Sequence, residues 1–132
     1  MDRRKRSKYR IRKKISGTPD RPRVSVYKSC RYTYAQVIDD VGGKVLLGRS
    51  TKEEEVRKVM EEVISGKESE EAGGFKSAST KSRAAAKALG ILIGRKCKEK
   101  GIEKVVFDRN GYIYHGRVKE VAEGLREAGV KV

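Results

Sequence analysis

Large apolar and polar residues alternate over RVSVYKS, TYAQVIDD and KVLLGRS, the period-two pattern of half-buried β-strands. The links between these runs are short, and Gly42 and Gly43 supply a tight second turn, so an antiparallel meander is the simplest arrangement. Beyond it the period changes. Val56, Val59, Met60 and Val63 recur at helical spacing, and Ser50 with Glu53 three residues on has the form of a capping box, which predicts a short acidic helix. Gly66, Gly73 and Gly74 break any periodicity across SGKESEEAGGFKSASTKS, a flexible connection. A second helix is predicted to begin between Ser79 and Arg83, to present Ala85, Leu89, Leu92 and Ile93 on its apolar face, and to stop near Gly101. EKVVFD reads as a short buried strand, and Val118, Val121, Ala122 and Leu125 mark a last helix ending at Gly129. This order predicts one α/β domain whose final strand returns parallel to a meander strand through a helical crossover.

Charge then separates the N-terminus from that domain. The 132 residues carry a net charge of +15, from 33 Lys and Arg against 18 Asp and Glu. Residues 1–31 hold 13 of the basic residues and 2 of the acidic ones, so most of the excess lies in the first quarter. MDRRKRSKYRIRKKI is too poor in apolar groups to bury itself, and its arginine density suits phosphate. It reads as a flexible basic arm that orders on a polyanion, with Pro19 and Pro22 stiffening the connector behind it. The expected division is an arm and connector over 1–21 and a single RNA-binding domain over 22–132. No apolar run approaches the roughly 20 residues of a membrane span, and the basic start lacks the apolar segment of a secretory signal, so the expectation is a cytoplasmic protein with no membrane partner. Cys30 and Cys97 are far apart and without companion histidines, which reads as two buried reduced thiols rather than a metal site.

The stretch VVFDRNGYIYHGRVKEVAEGLREAG contains His115, the single histidine of the chain. Asn110-Gly111 is a turn signal for two left-handed residues, and Arg109, Tyr112, Tyr114, His115 and Arg117 crowd around it at the end of a strand. Guanidinium for phosphate and aromatic faces for unstacked bases fit RNA, whereas a general base would need an orienting carboxylate and a nucleophile that this stretch does not name. Asp108 reads as a turn residue holding Arg109. A purely structural histidine, and a tyrosine pair divided between core and surface, remain open at this point. Lys28, Arg31, Tyr32 and Tyr34 in KSCRYTY form a second aromatic and basic group at the first hairpin. A metal-dependent nuclease using Asp39, Asp40 and Asp108 is the rival reading, weakened because the first strand offers no carboxylate. A basic DNA-binding module is the third.

KKISGTPDRPRVSVYKS, YAQVIDD and above all VVFDRNGYIYHGRVKEVAEGLREAG closely resemble the bacterial L-eighteen family of ribosomal proteins, which bind 5S rRNA in the large subunit. The resemblance runs over nearly the whole chain, with a longer and more acidic segment from about Lys52 to Ser79. It implies a ribonuclease-H-like three-layer α/β/α fold with a mixed sheet, no enzymatic activity and no cofactor or metal. It also implies attachment of 5S rRNA to 23S rRNA in the central protuberance, with the L-five protein as a co-binder of 5S rRNA. No small-molecule substrate is implied, and the free protein is expected to be a monomer. By position, the resemblance places RNA contacts at Arg12, Lys13 and Lys14 of the arm, at Ser29, Arg31 and Tyr34 of the hairpin, and at Arg109, Tyr112, Tyr114, His115 and Arg117 of the loop. The basic and aromatic neighbours Arg3, Arg4, Lys5, Arg6, Lys8, Tyr9, Arg10, Arg21, Arg23, Lys28 and Tyr32 join them as expected contacts. Asn110 stands where the family commonly has glycine, which a left-handed conformation would accommodate.

Overall fold

The structure, a computed structural model, describes residues 3, 5–7, 10, 16–66, 83–112 and 114–132. Arg4, Lys8, Tyr9, Arg12, Lys13 and Lys14, and the connection over 67–82, lie outside the described residues. Three strands, β1 (Arg23–Lys28), β2 (Thr33–Asp39) and β3 (Lys44–Ser50), are followed by the helices α1 (Glu54–Gly66) and α2 (Arg83–Glu99). A short strand β4 (Val106–Asp108) and a helix α3 (Arg117–Glu127) complete the chain.

The meander forms as the alternation requires, β1 antiparallel to β2 and β2 to β3. β4 lies parallel to β1 on its other side, giving the sheet order β3-β2-β1-β4. A four-residue turn closes the first hairpin: the Ser29 amide donates to the Tyr32 carbonyl at 2.8 Å, and the Ser29 hydroxyl accepts the Tyr32 amide at 3.0 Å. That turn sets the register Lys28↔Thr33 and Tyr27↔Tyr34. Val24, Val26, Ala35, Val37 and Leu47 therefore share one buried face, while Ser25, Tyr27, Tyr34 and Gln36 alternate onto the other.

The mixed α/β architecture stands as expected, with parallel and antiparallel pairing in one four-stranded sheet. Among the described residues the helices pack on the Val24–Leu47 side, with α2 against β2 and β3, α3 against β1, and α1 against α2. The opposite face carries no described helix. Ser25, Tyr27, Tyr34, Gln36 and Ile38 form an open, mainly polar and aromatic surface there.

Sequence periodicity also understated α2. Every residue from Ala84 to Gly94 is buried, not one face of four, because α2 runs between the sheet, α1 and α3. Small residues permit this. A Cβ at Gly90 would meet the Val121 carbonyl oxygen, and one at Gly124 the Lys87 carbonyl oxygen, so α2 and α3 touch backbone to backbone. The ammonium of buried Lys87 is paired with Glu127 at 2.9 Å. α2 ends as predicted, with Gly101 at φ 79° and the Ile102 amide donating to the Cys97 carbonyl at 2.8 Å.

Two local expectations are corrected. The Ser50–Glu53 pair exists, but as a lead-in to the helix: the Ser50 amide donates to the Glu53 carboxylate at 2.7 Å, while the Arg57 amide donates to the Glu53 carbonyl, so the cap position is Glu53. Ser50 is still the last residue of β3. Of the two thiols, Cys97 is buried, but Cys30 is exposed because it occupies the hairpin turn. Burial pushes the Cys97 thiol up to about 11 from its ordinary 9.0, so it stays protonated at neutral pH.

The close helix contact makes a prediction of unusual sign. Glycine to alanine within a helix ordinarily gains about 1 kcal/mol. Gly124→Ala should instead lose about 1–3 kcal/mol through overpacking against α2, measured as a lower urea midpoint. A midpoint at or above the wild-type value would show that α2 and α3 can separate without cost.

Candidate nucleic-acid interface

Arg23 enters the sheet from the connector and turns its guanidinium between two carboxylates. It donates to Asp108 at 2.7 Å and to both oxygens of Asp40 at 2.9 and 3.0 Å. The hydrogen bond to Asp40, seconded by Asp108, holds its pKa above the ordinary arginine value against the opposing effect of burial. Asp40 also accepts the Gly17 amide at 2.6 Å, which pins the connector to the domain. Asp108 is fully buried, and its second oxygen accepts the Asn110 amide at 2.8 Å. One ion cluster, buried at Arg23 and Asp108 and open to solvent at Asp40, therefore reaches directly into the loop after β4.

That loop is a tight turn. Asn110 and Gly111 adopt φ 54° and 81°, and the Tyr112 amide donates to the Arg109 carbonyl at 2.9 Å. The left-handed pair is the one the Asn-Gly signal predicts. Arg109 closes the turn by donating to the Tyr112 carbonyl at 2.6 Å. The turn is then fastened to the first hairpin from two sides. Tyr112 accepts the Lys28 amide through its hydroxyl at 3.1 Å, with the Lys28 ammonium 4.7 Å from its ring centre. Arg117, at the start of α3, donates to the Ser29 carbonyl at 3.1 Å and reaches the Tyr32 carbonyl and Thr33 hydroxyl at 3.4 Å.

Arg3, Ser7, Lys28, Arg109, Gly111, Tyr112 and His115 line one open cleft of about 650 Å³. The arm thus meets the loop: Arg3, Lys5, Arg6, Ser7 and Arg10 have helical backbone, and the spacing of Arg3 and Ser7 puts both on one side of that helix. Around the edge of the sheet, Tyr27 and Tyr34 lie 6.0 Å apart and Tyr32 and Tyr34 6.4 Å, on the face without described helices. Cation, phenol and imidazole converge here on an open surface. Asp39 caps the β2–β3 turn by accepting the Val41 and Gly42 amides, and Asp40 and Asp108 are engaged by Arg23. No three His, Cys, Asp or Glu among the described residues are placed to hold a metal.

Comparison with known proteins decides the lineage. Residues 1–73 and 61–132 match the family described as ribosomal L18 of archaea, bacteria, mitochondria and chloroplast. The chain belongs to this family. It is 48% identical to the large ribosomal subunit protein uL18 of Sorangium cellulosum, over 96% of this chain and 92% of that one. It is 45% identical to the uL18 of Thermotoga neapolitana, over 98% and 93%, and 49% identical to that of Clostridium botulinum, over 96% and 90%. It is accordingly a structural protein of the large ribosomal subunit, not an enzyme.

Within that family frame the expected contact residues divide into two groups. Arg3, Lys5, Arg6, Arg10, Arg21, Arg31, Tyr114 and His115 are exposed, and Lys28, Tyr32, Tyr34, Arg109 and Tyr112 are partly so. Arg23 is not available as an RNA contact, being 8% exposed and committed to two carboxylates. Ser29 and Arg117 are partly exposed as well, with the Ser29 hydroxyl and one Arg117 nitrogen bonded within the hairpin turn. Asp108 holds Arg23 and Asn110, not Arg109 as expected. Tyr114 packs edge-on against Phe107 at 6.1 Å and accepts a hydrogen bond from Arg126, leaving its ring 41% exposed. Two residues escaped sequence reasoning. Tyr27 is 49% exposed beside Tyr34, and the Lys52 ammonium stands 6.0 Å from the Tyr32 ring. The hairpin register would have found Tyr27, whereas no local pattern marks Lys52.

The Tyr112 hydroxyl gives a direct handle on how loop and hairpin are joined. Tyr112→Phe keeps the ring beside Lys28 but removes the acceptor of its amide, which should cost about 1 kcal/mol in urea unfolding. An unchanged midpoint would mean that the hydroxyl does not hold the two elements together.

Proposed function

We propose that the cleft and the aromatic edge beside it bind 5S rRNA, and that the protein helps attach 5S rRNA to 23S rRNA in the central protuberance alongside the L-five protein. A single observation carries this reading: arm, loop and hairpin contribute to one cleft, walled by Arg3, Lys28, Arg109, Tyr112 and His115. Such a surface combines point charges for the backbone with exposed aromatic faces for unstacked bases, the means by which proteins distinguish folded RNAs. The arginines and lysines of the arm supply affinity; the turn, set by the protein's own hydrogen bonds, supplies selection by shape. His115 serves as a surface contact in this scheme, and Arg23, Ser29 and Arg117 act by positioning the rest. The arm proper ends near residue 15, because Gly17 is already bound to the domain through Asp40, and the free protein is a monomer.

Gel-shift titration at moderate salt should show the full chain retaining 5S rRNA when tRNA and duplex DNA of equal length no longer bind. Equal retention of all three would support a general basic module instead. Removal of residues 1–15 takes away nine cations and one anion, so binding should weaken and its salt dependence become shallower, to a similar degree for cognate and unrelated RNA. Parallel salt lines for the two proteins would mean that the arm does not touch phosphate.

A further inference from the structure

We propose that a basic groove at the far end of α3, walled by Lys98, Lys104, Arg126 and Lys131, holds the phosphate backbone of a second RNA segment, separate from the one at the loop. The groove is an open cavity of about 620 Å³ in which Glu103 is the acidic side chain. α2 contributes Lys98, the segment leading into β4 contributes Lys104, and the residues after α3 contribute Lys131. α3 begins at the loop and its 11 residues span about 16 Å, so Lys104 and Lys131 lie at the end of the helix away from the cleft, while the long Arg126 side chain reaches back to Tyr114. One phosphate cannot occupy both places.

Two of the cations have an ordinary explanation and two do not. Lys98 and Arg126 stand in the last turns of α2 and α3, where positive charge suits the helix dipole, and Arg126 is already paired with Glu123 at 2.8 Å and with Tyr114 at 3.2 Å. Lys104 and Lys131 stand on extended chain as direct partners in a parallel bridge. The Val105 amide donates to the Lys131 carbonyl at 2.9 Å and the Lys131 amide to the Glu103 carbonyl at 2.8 Å, which fixes the two lysines side by side. Like charges on neighbouring strands repel, and neither lysine forms an ion pair among the described residues. Gly129, at φ 94°, keeps the wall low: a Cβ there would come within 3.2 Å of the Lys98 side chain. Two adjacent lysines with this geometry suit an anionic partner placed between them. Lysine recognises phosphate as a point charge without base readout, so the occupant is a backbone whose sequence matters little. A subunit built on RNA supplies that chemistry, and the groove carries the inference by its own charge, independently of the loop reading.

The test compares the full-length wild type with Lys104→Glu/Lys131→Glu, both saturated with 5S rRNA and then titrated with a short labelled RNA duplex of unrelated sequence. The wild type should bind the duplex at low salt. The double variant should bind it at least about tenfold more weakly, with a log–log salt slope reduced by nearly two, the value for two lost phosphate contacts. Its affinity for 5S rRNA should stay within about twofold of wild type, since the arm, loop and hairpin that hold that RNA are unchanged. Lys104→Gln/Lys131→Gln, which removes the charges without adding acid, should lose duplex binding in the same direction and guards against a folding defect in the reversed variant. Equal duplex affinity and equal slopes in all three proteins would overturn the proposal. So would binding of polyglutamate in preference to the duplex, which would assign the groove to an acidic protein surface. If the wild type failed to prefer 5S rRNA, the loop reading would fall while the comparison of duplex slopes would still decide the groove.

Discussion

A guanidinium buried between two carboxylates at the start of β1 is the contact on which the geometry of the interface depends. Of its two pairs only that with Asp108 is buried, and removing one member of a buried pair typically costs about 3–5 kcal/mol because the remaining charge is left without compensation. Replacing the whole set by apolar residues would sacrifice little stability, so its value here is directional. Asp40 carries the constraint to the β2–β3 turn and the connector through Gly17, and Asp108 carries it to Asn110 and the left-handed turn. Three segments distant in sequence are located relative to one cation.

The consequences spread from there by short hydrogen bonds. A turn held by Asp108 presents Tyr112 to the Lys28 backbone, and α3 starts where Arg117 can grasp the hairpin carbonyls. Loop and hairpin then form one rigid edge before any partner arrives, which spares the ordering entropy that binding would otherwise cost. Arginine and tyrosine are accordingly used in two ways. Arg23, Arg117 and the Tyr112 hydroxyl build the surface, whereas Arg31, His115, Tyr27 and Arg3 stand on it.

Much of this was legible in the chain. Period-two runs located β1 to β3 to within a residue because each has one wet face and one dry one, and Asn110-Gly111 announced its turn because few residues accept positive φ. The loop and hairpin groups were visible as aromatic and basic clusters. What stayed hidden was pairing across long sequence separations. Arg23 looks like any other cation of the basic N-terminal region, and nothing local reveals that Asp40 and Asp108, 17 and 85 residues on, enclose it. The same blindness explains α2: alanines and glycines carry almost no hydrophobic signal, yet they let a helix be buried on every side. The double role of Tyr112, its ring packed against the core at the cleft and its hydroxyl tied to the hairpin, depends equally on a contact 84 residues away.

The central claim is that the buried arginine shapes the loop in the free protein. Hydrogen exchange of the Asn110 amide, which donates to Asp108, measures this most directly in wild type and in Arg23→Lys, a variant that keeps the charge but cannot bridge both carboxylates. The account predicts clear protection of this amide in the free wild type and at least about tenfold faster exchange in Arg23→Lys, a loss of about 1.4 kcal/mol in local opening, with the central amides of β1 and β2 unaffected. An Asn110 amide that exchanges freely in the wild type, or equally slowly in both proteins, would contradict it.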